Sequence, residues 1–240
     1  MENSTCRSRQ KTSHFKKGSQ AGFPIVIGYL PIALAFGILS KTSGITLLES
    51  IMFSSIVYAG ASQFMALTMI AMGAGTLGIV LTTFLVNFRH FLMSASIAGK
   101  IKNEKKSILP LIAFGITDET FSVASFSKEN LTSSFMMGLE LAAYLSWNVG
   151  TIAGYLLGST LPDSIQASMG IALYAMFIAL VTPMAKKFLK IASLVILSGI
   201  VNSLVGRFAS VPRGWGIIIA IISVSILGVF IFSEEEAEEL

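Results

Sequence analysis

Charge is scarce in this chain. Only 12% of its 240 residues are Asp, Glu, Lys or Arg, while 53% are hydrophobic, and mean hydropathy is +0.76. That balance excludes an ordinary soluble domain. Cysteine is all but absent. Cys6 stands alone in a polar N-terminal stretch, so no internal disulfide can form. Two histidines and one cysteine make no zinc pattern, and no metal or cofactor is expected. No glycine loop ends in Lys-Ser or Lys-Thr, which excludes a nucleotide motor of that kind. His-Glu-x-x-His, paired-Asp and Gly-x-Ser-x-Gly signatures are missing too, so an enzyme is not expected. The first residues lack an apolar core, so no cleavable signal peptide is expected. Short alternating segments of a membrane barrel are absent. The basic side chains sit at the N-terminus and in short loops, a pattern that orients membrane helices and does not suit nucleic acid.

Long apolar runs fill the space left by these absences. They predict an all-α, polytopic transmembrane helical bundle of about seven or eight spans, some broken or re-entrant. Residues 1–20 read as a basic cytoplasmic tail, 21–233 as the membrane domain and 234–240 as an acidic tail. A multi-pass location in the lipid bilayer of the cytoplasmic membrane is expected, with the N-terminus inside.

The stretch Thr82–Ser94, TTFLVNFRHFLMS, lies inside an apolar run from Leu77 to Ala98 yet carries Asn87, Arg89 and His90. A charge at mid-bilayer costs roughly 2.5–3.5 kcal/mol, so such a residue faces protein or water. At helical spacing Thr83, Asn87, His90 and Ser94 share a face, while Arg89 points elsewhere and needs its own partner. These groups serve either as interhelical glue or as a solute path.

Other spans supply the rest. The first, from Gly22 to Leu39, is interrupted by Pro24 and Pro31, which bend helices. The second, Leu47–Met72, contains Tyr58-Ala59-Gly60-Ala61-Ser62-Gln63-Phe64. Gly60 there marks either a packing seam or a local break, and Gln63 places an amide in the apolar layer. The segment 108–126 holds Asp118 and Glu119. It is either re-entrant, with its acids solvated, or its acids pair with Arg89. The fifth span, Phe135–Leu157, carries Glu140, Tyr144, Trp147, Asn148 and Thr151 on one face, beside a ridge of Gly150, Gly154 and Gly158. That ridge suits close helix packing. Apolar stretches at 165–184, 191–205 and 215–232 complete the bundle.

One conflict stands out. If the tail is inside and the first three spans each cross once, the lysines of Lys100–Lys106 fall outside, against the positive-inside tendency. Either the rule fails or one segment folds back.

Gly22-Phe23-Pro24, Pro31, Phe36-Gly37, the Tyr58–Phe64 motif, Asn87-Phe88-Arg89-His90 and Thr117-Asp118-Glu119 together resemble the AzlC-type branched-chain amino acid permease family. The resemblance covers residues 20–205. It implies the large subunit of an exporter of leucine, isoleucine, valine or related amino acids, partnered by a small hydrophobic AzlD-type membrane subunit. No residue roles come with it. The residues themselves suggest a path for a small solute through Gln63, Asn87, Arg89, His90, Asp118, Glu119, Glu140 and Asn148. The alternative is a membrane scaffold or assembly subunit that transports nothing.

Overall fold

A computed structural model describes residues 2–101, 106–127, 131–158, 178, 182, 185, 186, 188–207 and 215–231. The stretch 165–184 lies almost entirely outside these residues, and the acidic tail lies wholly outside them. All regular structure among the described residues is helical: α1 Glu2–Ala21, α2 Phe23–Thr42, α3 Leu47–Met52, α4 Gly60–Ala71, α5 Thr76–Lys100, α6 Leu109–Gly115, α7 Asp118–Phe126, α8 Ser133–Leu157, α9 Leu189–Val205 and α10 Trp215–Ile231. Two of them, α2 and α5, are long and apolar enough to cross a membrane by length and composition. α8 is as long as α5, but its polar face dilutes its hydropathy. The stretches 47–57 and 60–71 are shorter apolar helices because the chain breaks between them.

The basic N-terminal stretch, expected as a tail, is helical. Pro24 sits in the first turn of α2, where a missing N–H costs nothing, and α2 runs on through Pro31. A reciprocal Thr46–Glu49 capping box starts α3, and Thr117 with Thr120 starts α7 in the same way. The Thr132 hydroxyl accepts from the Phe135 amide to start α8.

The chain folds as two compact units. The second takes Phe64–Val86 and the described residues from 178 onward. In it α9 and α10 run antiparallel, with Lys190 Nζ donating to the Ile231 carbonyl (3.2 Å) and Gly216 facing Asn202.

The first unit takes the residues up to Gln63 and those from Asn87 to the end of α8. Its centre is α8. A Cβ on Gly18 would meet the Phe135 carbonyl, one on Gly22 would meet Leu139, one on Gly150 would meet Ala33, and one on Gly37 would meet Thr151. Residue numbers rise together, so α1 and α2 run parallel to α8. The glycine ridge is the seam: a Cβ on Gly154 would lie 2.1 Å from the Leu34 carbonyl oxygen. Small residues let the two backbones touch.

Against this core lie two interrupted segments. α3 runs antiparallel to α8: Tyr155 donates to the Ile45 carbonyl (3.0 Å), and Ser54 meets Thr151 (2.7 Å). A π-helical turn, Phe53–Val57, then ends at Tyr58, whose φ of +44° is left-handed. That conformation costs a non-glycine residue about 1–2 kcal/mol. Gln63 Nε2 donates back to Ser54 Oγ (3.1 Å). Nine residues of straight helix would part these two by about 13.5 Å, so the chain bends sharply at Tyr58-Ala59. The second segment rises beside α8 in the parallel sense. Leu111 and Met137 line one hollow, and the rings of Phe114 and Tyr144 lie 6.1 Å apart. It breaks at Ile116-Thr117, and α7 follows.

Candidate functional site

The two breaks meet beside the middle of α8. The Tyr58 ring lies 6.0 Å from that of Phe114 and 4.9 Å from that of Tyr144. The Tyr144 hydroxyl donates to the Ser55 carbonyl (2.9 Å), a group freed where the helix unwinds. Gly60 opens α4 against the Trp147 indole, and a Cβ there would sit 2.7 Å from that ring. Trp147 in turn packs edge-on to Tyr29 at 5.2 Å.

Gln63 is fully buried. Its oxygen accepts from the Ala59 amide (3.2 Å) and its nitrogen reaches Ser54, so it braces the first break. The Ser62 hydroxyl donates to the Asn87 side-chain oxygen, which ties α5 to the start of α4. Asn148, half-buried, returns its amide to the Tyr144 carbonyl one turn back (3.0 Å).

Arg89 finds the partner its direction demanded: it pairs with Asp118 at 2.9 Å. Its Nε is buried and has no hydrogen-bond partner. His90 is half-buried next to it. Glu119 accepts from the Tyr29 hydroxyl (2.6 Å), and Thr117 stands 2.7 Å from the same oxygen. Asp118 and Glu119 occupy the first turn of α7, where the helix dipole favours negative charge. Two of the three embedded acids are therefore engaged.

Glu140 is the third. It is 5% exposed, and its Oε1 has no hydrogen-bond partner. It lines a cavity of about 300 Å³ with Leu111, Phe114, Gly115, Met137, Leu141 and Tyr144. Gly115 admits it, since a Cβ there would lie 2.5 Å from a carboxyl oxygen. Gln63, Asn87 and His90 line neither this cavity nor the apolar hollow between α5 and α6. Sequence reasoning overlooked Tyr29 and Gly115. A phenol inside an apolar span was the available signal for the first, and nothing marked the second.

Residues 24–161 match the AzlC protein family. The chain is 37% identical over 181 residues to an uncharacterized membrane protein of Archaeoglobus fulgidus, covering 75% of this chain and 80% of that one. It is 33% identical over 214 residues to the inner membrane protein YgaZ of Escherichia coli, 86% of each. It is 28% identical over 148 residues to the branched-chain amino acid transport protein AzlC of Bacillus subtilis, covering 60% of this chain and 58% of that one. No solved structure matches. With its Asn-Phe-Arg-His and Thr-Asp-Glu motifs joined across one break, and relatives named as membrane proteins, this chain belongs to the AzlC family.

Proposed function

We propose that this chain is the large subunit of a secondary exporter of branched-chain or related small amino acids in the cytoplasmic membrane. The observation that carries this reading is the meeting of two broken segments beside a cavity that the second of them and α8 line with a carboxyl. Interrupted helices supply backbone groups to solutes at membrane depth only where protein or water satisfies them. A zwitterion needs an anion site and a cation site. Arg89, with its Nε unengaged, suits the carboxylate. Glu140, the embedded acid without a partner, suits the ammonium. The name of the Bacillus subtilis relative supports the substrate class, and an AzlD-type subunit is the partner proposed with it.

The test is amino acid efflux from cells expressing the chain, with and without such a small subunit. Asn87→Ala, Arg89→Ala and Glu140→Ala are expected to insert normally and to lose most efflux. Full-rate export by all three would remove the proposal.

The geometry also supports a topology. Because α2 and α8 run parallel, an odd number of crossings separates Thr42 from Ser133. α6 and α7 have 7 and 9 residues, about 10 and 13 Å. The five residues joining Ser127 to Ser133 cannot carry the chain back across a bilayer from the far side. Both broken segments are therefore read as re-entrant hairpins that enter from opposite faces, with α5 the single crossing between α2 and α8. Lys41 then falls outside, while Lys100, at the end of α5, falls on the side of the N-terminal stretch. The conflict over Lys100–Lys106 then disappears.

In a Cys6→Ser background, Ser107→Cys and Thr132→Cys are expected to react with an impermeant maleimide from the cytoplasmic side. Ser43→Cys is expected to react only from outside. Labelling of Ser107→Cys from outside would exclude the second hairpin.

A further inference from the structure

The Glu140 cavity has a chemistry narrower than a general amino acid site. Its one charged group is a carboxyl, and its walls are the aliphatic Leu111, Met137 and Leu141 with the rings of Phe114 and Tyr144. A carboxyl beside aromatic rings suits an ammonium group, because ring faces attract cations. Among the described residues, no basic side chain lines the cavity to receive an anion.

The carboxyl is also unpaired. A bare carboxylate in apolar surroundings is costly, so a proton or a cation belongs beside it. The described groups packed around it do not supply one. α6 carries no titratable residue, and neither does the facing part of α2 apart from Tyr29, which is engaged by Glu119. Tyr58 and Tyr144 are phenols. Asp118 and Glu119 on α7 are engaged by Arg89 and Tyr29. α1 brings His14, Lys16 and Lys17 to the N-terminal end of α8, but none lines the cavity.

We propose that the Glu140 cavity is an alkylammonium site in which one carboxyl is occupied either by a proton or by the ammonium group of the ligand, so that each displaces the other. In the exchange the carboxylic O–H bond breaks and the proton leaves to water. An N–H of the entering ammonium then donates to the carboxylate. One positive charge enters as one leaves. Recognition at this site needs an amine and an apolar body but no ligand carboxylate. If the export reading also holds, this exchange is a proton-coupled antiport step. The site itself does not depend on transport.

The test uses the full-length purified protein in detergent and isopentylamine, a branched alkylammonium without a carboxylate. Titration calorimetry in two buffers of different ionisation enthalpy counts protons. Saturable binding with release of about one proton per ligand is expected, together with weaker binding as pH falls. Glu140→Gln is expected to lose both binding and proton release, and Leu141→Trp, which fills the cavity and leaves the carboxyl intact, to lose binding. If Glu140→Gln does not fold, Leu141→Trp carries the comparison. No saturable binding, binding without proton release, or unchanged binding in Leu141→Trp would each overturn the proposal. Because no transport is measured, its failure would leave the export reading to the efflux assay.

Discussion

Gly154→Leu is expected to leave almost no folded protein, whereas Gly28→Ala is expected to be silent. The contrast follows from what a side chain would meet. At Gly154 the Cβ would lie 2.1 Å from the Leu34 carbonyl oxygen and 2.8 Å from its Cα. Those atoms belong to the backbone of α2 and cannot rotate away. Gly37 and Gly150 make the same kind of approach within the same seam, so relief requires the two helices to part along their length. Parting them would uncover Ala33 and Phe36 on one side and Leu139 and Ala143 on the other, all with no exposure. Overpacking a well-filled core commonly costs about 1–3 kcal/mol. A rigid backbone contact places this case at or above the upper end, a large share of a stability of about 5–15 kcal/mol. At Gly28 nothing lies within 4 Å of an added Cβ. Alanine there also improves helix propensity by about 1 kcal/mol. Monodisperse yield and thermal unfolding in detergent check both. A normal melt for Gly154→Leu would mean that α2 and α8 do not touch as described.

Arg89→Ala is expected to lower efflux by about 10–100-fold, and adding Asp118→Ala is expected to lower it little further. The two groups pair at 2.9 Å, so removing the arginine strands a carboxylate at membrane depth. Removing both leaves no stranded charge. Breaking a fully buried pair costs roughly 3–5 kcal/mol. These side chains keep 39% and 29% of their exposure, so a coupling of about 1–2 kcal/mol is expected. Glu119→Ala supplies the contrast, because its carboxylate rests on Tyr29 rather than on the arginine. It should add independently to Arg89→Ala. Strictly additive losses for Arg89 and Asp118 would refute the functional weight given to their contact.

Much of this was legible beforehand. The helical period alone turned Arg89 away from Asn87 and His90, and two acids in an apolar segment were its natural counterions. The glycines at 150, 154 and 158 declared a seam because glycines one turn apart leave a strip with no side chains. Gln63 was recognisable as an amide in an apolar layer, but its task was not. Whether it faces a solute or braces its own break depends on whether Ser54 comes within reach, and that depends on the bend at Tyr58. A left-handed tyrosine has no signature in the chain, since the ring contacts that hold it come from Phe114 and Tyr144.

Composition and periodicity thus determined that the chain is all-α, apolar and built around a few embedded polar groups, because those properties follow from residue type and local spacing. The direction of α8 relative to α2, the bend at Tyr58-Ala59 and the isolation of Glu140 were decided only in three dimensions. Each depends on contacts between residues far apart in the chain. A carboxyl is engaged or unengaged according to which neighbours the fold brings to it, and no local pattern encodes that.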